Sequence, residues 1–139
     1  MNPPLGLRSD REALRKGVLD GTICAFATDH APHVSEAKAR GFAGAPFGCI
    51  GLETALAATW KAMVEESGMR PVDWAARWTA GPASVLGLPA PGFRAGTPAK
   101  VALLRPGRWV PAPGDLKSKS RNCPFLGMPL PIRVEALLA

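Results

Sequence analysis

The sequence predicts an α/β fold. Three observations carry that reading. A short, almost wholly apolar run, "TICAFAT", follows directly on a helix-like stretch; amphipathic helical patterns come after it; and short strand-like segments take over beyond residue 88. Helix followed by buried strand is the alternation typical of α/β chains. At 139 residues, with 47% hydrophobic and 20% charged side chains, the chain has the composition of one ordinary globular domain. Its 15 prolines and 15 glycines imply many turns and short elements.

The first element is "SDREALRKGVLDG", with Ser9 as the expected N-cap and Glu12 three residues later. Leu14 and Val18 lie four apart on one helical face, and Gly21 closes the helix. "TICAFAT", flanked by turn residues, reads as a strand buried on both sides, as in a parallel sheet or barrel. Residues 29–49 form a long loop, punctuated by Pro32, Pro46, Gly41, Gly44 and Gly48. "GLETALAATWKAMVEE" then places Leu52, Leu56, Trp60 and Met63 on one face of a helix. Pro71 opens the next helix, with Trp74, Ala75 and Trp78 on its apolar side. "GPASVLGL" is a further short helix, with Pro82 near its start and Gly87 at its end. "AKVALLRPG" and "IRVEALLA" are expected strands, which sets a sub-domain boundary near residues 88–96 and divides the chain into 1–88 and 89–139. No internal repeat occurs. One buried strand cannot satisfy its own edges, so further strands are expected from outside this chain.

Charge and cysteines narrow the function classes. The net charge is +6, yet residues 1–93 carry nine basic and nine acidic side chains that cancel. The excess lies in residues 94–139, with eight basic side chains against Asp115 and Glu135. With no tyrosine, few aromatics among those charges and no nucleic-acid motif, a solvated basic face is expected, and no nucleic-acid partner. No stretch approaches the ~20 apolar residues of a membrane span, and no signal-peptide pattern is visible, so the expected location is cytoplasmic. Cys24, Cys49 and Cys123 are odd in number and form no close-spaced pair, which reads as reduced thiols.

The most chemical feature is "TDHAPH" at residues 28–33, where Asp29 stands with the chain's two histidines, His30 and His33. A carboxylate at the end of a barrel strand can bind a metal ion or act as a general base. Spacing of three brings the two imidazoles near one another in a turn, and neutral imidazoles are common zinc ligands. The plainer alternative is that Asp29 caps a turn and the histidines lie at the surface. Composition and spacing leave both open.

"TDHAPH" followed by "APFGCIGLETAL" resembles the C-terminal part of the class I bacterial dihydroorotases, in the amidohydrolase superfamily. "NPPL", "GPASVLGL" and "NCPFLG" add to the resemblance, which spans essentially the whole chain. It implies the last portion of a metal-dependent-hydrolase (β/α)8 TIM barrel over 1–88, with an active-site loop at 29–49, and part of a small β-rich composite domain over 89–139. It implies zinc-dependent, reversible hydrolysis of L-dihydroorotate to N-carbamoyl-L-aspartate, in pyrimidine synthesis. By the resemblance Asp29 is the catalytic proton-transfer carboxylate and a ligand of the zinc centre. His33 and Asn2 hold the substrate, Phe47 and Gly48 offer it backbone groups, and His30 has a structural or supporting role.

The departures are as informative. The family's His-x-His zinc ligands, its bridging acidic ligand and two further histidines have no counterpart here, so most ligands of its binuclear zinc centre are expected from a missing N-terminal part. A chain that is inactive alone is therefore expected. Two alternatives accompany that expectation: a non-catalytic scaffold partner of aspartate transcarbamoylase, or another cyclic amidase of the allantoinase or hydantoinase kind. Retention of Asp29 and His33 argues against the scaffold, which would be expected to lose them.

Overall fold

The computed structural model describes residues 1, 3–4, 6–98 and 100–138. Helix α1 (Arg8–Asp20) opens the chain and ends at Gly21 in the left-handed conformation, φ 92°. Ser9 is not its cap. The helix begins two residues earlier, with Leu7 at the cap position, where the Asp10 carboxylate accepts the Leu7 N–H at 2.7 Å and satisfies that orphan donor. Val18 is buried, while Leu14 is 61% exposed, so only part of the expected apolar face is used.

"TICAFAT" is not a buried strand here. Residues 24–29 have no regular secondary structure and no partner strand among the described residues, and Cys24, Ala27 and Asp29 are exposed. Strand structure is a property of a pair, and the neighbours that would complete a sheet are not among these residues. The segment lies instead on the helices that follow it, where the Phe26 N–H donates to the Arg77 carbonyl at 3.0 Å and Phe26 tilts against Trp78 at 5.3 Å. A Cβ on Gly81 would stand 1.8 Å from the Cys24 carbonyl oxygen, so this close approach requires glycine.

Two single-turn helices, α2 (Ser35–Lys38) and α3 (Gly41–Gly44), interrupt the long loop. The expected helix after Gly51 forms in two parts: α4 (Ala55–Thr59), then a π-helix over Trp60–Glu65. The widened turn shows in the Glu66 N–H donating to the Lys61 carbonyl at 3.0 Å. Met63 is buried and Leu56 and Trp60 pack on the core, whereas Leu52 precedes the helix and is 62% exposed. Pro71 opens α5 (Pro71–Trp78), and α6 (Ala80–Val85) follows. Strands β1 (Val101–Trp109) and β2 (Leu130–Leu138) pair antiparallel, with Arg105 opposite Arg133 and irregularities after Leu103 and Pro106.

One core joins these parts. Val18, Ala57, Met63, Met69 and Trp74 from the helical portion meet Leu130 and Ile132 of β2. Trp60 meets Trp74 edge-on at 5.1 Å. The Thr59 hydroxyl accepts from the indole N–H groups of both the buried Trp74 (3.0 Å) and the partly buried Trp78 (3.1 Å), so neither indole donor is stranded. Among the described residues no helix is long and apolar enough to cross a membrane.

Candidate active site

The long loop is closed at its base. His30 and Cys49 form an isolated parallel bridge, and the Ala31 N–H donates to the Cys49 carbonyl at 3.0 Å. The turn into the loop is made at Asp29, whose φ of 42° is the only positive value at a non-glycine residue among those described. Aspartate tolerates this conformation better than most side chains. Asp29 is exposed, and its carboxylate has no hydrogen-bond or ion-pair partner among the described residues. Among the described residues it caps no turn, and none of them occupies the lone pairs of its carboxylate.

The two histidines have different tasks. His30 Nδ1 accepts the N–H groups of Gly51 (3.2 Å) and Leu52 (3.3 Å), which places the ring proton on Nε2 and fixes the approach to α4. His33 Nε2 bonds the Phe47 carbonyl at 2.7 Å, across 14 residues of loop. The ring nitrogen left for a ligand is Nδ1. The spacing of three therefore does not make a histidine pair: each imidazole is engaged with a different limb of the chain.

Gly48 lies beside this contact at φ 91°, and a Cβ there would come within 2.6 Å of the Ala31 Cβ. Its glycine is a packing requirement as well as a conformational one. The backbone N–H groups of Phe47 and Gly48 have no partner among the described residues, so two adjacent donors stand beside His33. The structure thus brings His33, Phe47 and Gly48 together. Asp29 stands at the loop's entrance with no hydrogen bond to them, and Asn2 lies outside the described residues.

Two residues that sequence reasoning did not single out hold the loop. Lys38 Nζ donates to the carbonyls of Pro46 (2.9 Å) and Gly48 (3.0 Å). Asn122 donates through Nδ2 to the Ala31 carbonyl at 2.9 Å and, at 3.5 Å, to that of Gly48. Nothing in the pattern around Lys38 marks it. Asn122 opens "NCPFLG", whose Asn and Pro two apart signal a tight local turn but not its partner 91 residues away.

The donor set does not make a zinc centre by itself. No group of three or more His, Cys, Asp or Glu among the described residues is arranged to hold a metal ion. Asp29 is the one free carboxylate of the cluster, His30 Nδ1 is taken by two backbone donors, and His33 Nε2 by the Phe47 carbonyl. A structural or catalytic zinc site takes three or four protein ligands.

The amidohydrolase family profile matches residues 3–122. A dihydroorotase of Pelotomaculum thermopropionicum is 41% identical over 128 residues, which are 91% of this chain and 30% of that protein. A dihydroorotase of Syntrophotalea carbinolica is 45% identical over 126 residues, 90% of this chain and 29% of the relative. In three dimensions the chain superposes over its full length on a D-hydantoinase (dihydropyrimidinase) from a Thermus species, with a TM-score of 0.88 at 20% identity over 32% of that structure. The chain spans about 30% of the length of the curated relatives it matches.

Proposed function

The chain belongs to the amidohydrolase family, and from that membership we propose that it is the substrate-holding part of a dihydroorotase. In this reading residues 1–88 are the last portion of a (β/α)8 barrel, residues 89–139 are part of a β-rich domain, and the rest of the barrel comes from sequence this chain does not contain. The observation that carries the proposal is the closure of the 29–49 loop. It draws His33 onto Phe47 and leaves two adjacent backbone donors beside them. Similarity to relatives named dihydroorotase at 41–45% identity supports this reading.

The chemistry asked of this chain is anion binding and proton transfer. Opening the dihydroorotate ring forms a C–O bond from water to the ring carbonyl carbon and breaks the C–N bond, and the nitrogen leaves with a proton. Asp29 takes the proton from the attacking water and delivers it to that nitrogen, which a carboxylate with one oxygen left free of the metal can do in both directions. With Nε2–H given to the Phe47 carbonyl, His33 donates to the substrate carboxylate through Nδ1 only as the doubly protonated imidazolium, which an anionic ligand favours, and the Phe47 and Gly48 N–H groups bond acceptors of the substrate. Asn2 adds a polar contact to the same ligand. Family membership implies a metal cofactor. We assign zinc to the assembled enzyme, with Asp29 as the one ligand this chain supplies; cytoplasmic location goes with the same assignment.

The test is reconstitution. The chain is co-expressed with the preceding portion of a related dihydroorotase, and hydrolysis of dihydroorotate is measured. Restored turnover is expected, and Asp29→Ala is expected to lower it by about 10²–10⁴-fold. Zinc-dependent turnover by the 139-residue chain alone would overturn the partial-enzyme reading. Capture of aspartate transcarbamoylase with no restored turnover would favour the scaffold.

A further inference from the structure

We propose that Asn122 is a positioning residue for the substrate loop, through which the 89–139 portion of the chain sets the geometry of His33 and of the Phe47–Gly48 backbone. The inference rests on the reading of that loop as the place where substrate is held. Asn122 makes polar contacts on both limbs of the loop. Its Nδ2 donates to the Ala31 carbonyl at 2.9 Å and to the Gly48 carbonyl at 3.5 Å. Its Oδ1 accepts the His33 N–H at 3.4 Å, and its own carbonyl accepts the Ile50 N–H at 3.2 Å. By length, the bond to Ala31 is the strong one, and the contacts to Gly48 and His33 are long ones that align rather than anchor.

Position makes these bonds consequential. Ala31 and Gly48 are where the two limbs touch, since a Cβ on Gly48 would lie 2.6 Å from that of Ala31. An amide there donates to a carbonyl on each limb and accepts between them, a combination that neither a carboxylate nor a hydroxyl supplies. Asn122 is itself held from behind. Ser118 N–H donates to Glu53 Oε1 at 2.8 Å, and Cys123 Sγ lies 3.9 Å from the Thr54 hydroxyl. Residues 118–123 are thereby pinned to the start of α4, and Asn122 reaches from that platform into the loop. A residue used only for folding would support the core; this one supports the two atoms sets assigned to substrate.

Asn122→Asp is nearly isosteric but removes both donors and sets a charge against the Ala31 and Gly48 carbonyls. The first measurement uses the chain itself, with ¹⁵N-labelled histidine and tryptophan. The His33 ring resonances of Asn122→Asp and Asn122→Ala are expected to move toward those of free histidine. The indole N–H signals of Trp74 and Trp78, far from the loop in sequence and bonded to Thr59, are expected to hold. Exposed Lys119→Ala serves as control and leaves both sets unchanged. Unmoved His33 signals in either folded variant would overturn the proposal, as would loss of the indole signals in both, which would make Asn122 a folding residue. The second measurement uses the reconstituted enzyme. Asn122→Asp is expected to raise KM for dihydroorotate roughly tenfold with a much smaller change in kcat, the effect of one lost loop-setting bond. A fall in kcat at unchanged KM would overturn it. If the unmodified assembly does not turn over dihydroorotate, the dihydroorotase reading fails, while the histidine spectra still decide the role of Asn122.

Discussion

Asp29 pays a conformational cost for its place. A side chain at φ 42° is held in the left-handed region, which costs roughly 1–2 kcal/mol for most L-residues and less for aspartate. Replacement by glycine removes that strain but adds freedom to the unfolded chain, so Asp29→Gly is expected to leave stability within about 0.5 kcal/mol. Asp29→Ala keeps the strain without aspartate's tolerance and is expected to lose about 1 kcal/mol. Chemical denaturation of the two variants checks the order; an alanine variant as stable as the glycine one would show that the conformation is unstrained. At Gly48 both penalties act together, a positive φ and a 2.6 Å contact with the Ala31 Cβ, so Gly48→Ala is expected to cost about 2–4 kcal/mol by the same measurement. A melt unchanged by that substitution would mean the loop is free to open. "TDHAPH" drew attention to this loop as a candidate site, because a carboxylate and two imidazoles in six residues stand out by composition alone. What the spacing could not give is which way each ring faces: His30 toward residues 51–52 and His33 toward 47 are choices made by partners 14 to 22 residues away.

At the scale of elements, the turn signals were the readable part. Pro71 begins α5, Gly21 ends α1, and both β segments form where their β-branched and leucine-rich runs placed them. These features are local, and local chemistry decides them. "TICAFAT" failed for the opposite reason, since a strand needs a neighbour that no window of this sequence describes. The π-helix was equally hidden: its widened turn accommodates Trp60 against Trp74, a tertiary contact. Thr59, at the junction before it, accepts two indole donors and gives its own proton to the Ala55 carbonyl at 2.8 Å. Thr59→Val conserves shape and strands both indoles, with an expected loss of about 2–4 kcal/mol in thermal or denaturant unfolding. A loss below about 0.5 kcal/mol would show that water takes over the role. The start of α5 offers a pH test. Asp73 is held below the ordinary 3.8 by hydrogen bonds from Arg70, which outweigh the opposing effect of desolvation, with lesser help from the charges of Arg70 and Arg77. A folded-state value below the unfolded one means that the pair's contribution is present above the unfolded value and is lost as pH falls through the folded one. Arg70→Ala should therefore raise the Asp73 titration midpoint toward 3.8, followed by NMR of the carboxyl carbon. An unmoved midpoint would remove Arg70 as the cause.

The whole molecule exposes more surface than its mass accounts for. A folded monomer of 14.6 kDa exposes about 6,900 Å², whereas this chain exposes 9632 Å². The excess of roughly 2,700 Å² is larger than a standard protein–protein interface of about 1,600 Å². Its composition fits an unsatisfied interface rather than a solvated surface, since Leu7, Leu14, Leu19, Phe42, Leu52 and Phe93 are all exposed. Apart from the Phe26 N–H, which donates to the Arg77 carbonyl, the backbone N–H groups of residues 24–29 have no protein partner among the described residues and could pair with a neighbouring strand. The chain spans about 30% of its relatives' length, and in the proposed reading added sequence would both bury that surface and complete a metal centre to which Asp29 contributes one ligand. The two needs are expected to be met in one step. The chain alone should bind a hydrophobic dye, sediment with concentration-dependent mass and show no tight zinc binding, since one carboxylate without further ligands gives weak affinity. On association with the preceding portion of a related dihydroorotase, dye fluorescence should fall as zinc affinity rises, with both transitions at the same stoichiometry. Sub-micromolar zinc binding by the chain alone would break the link, because the ligands would then all lie within it. Dye release without any gain in zinc affinity would break it from the other side, by showing that the covered face and the metal centre are separate surfaces.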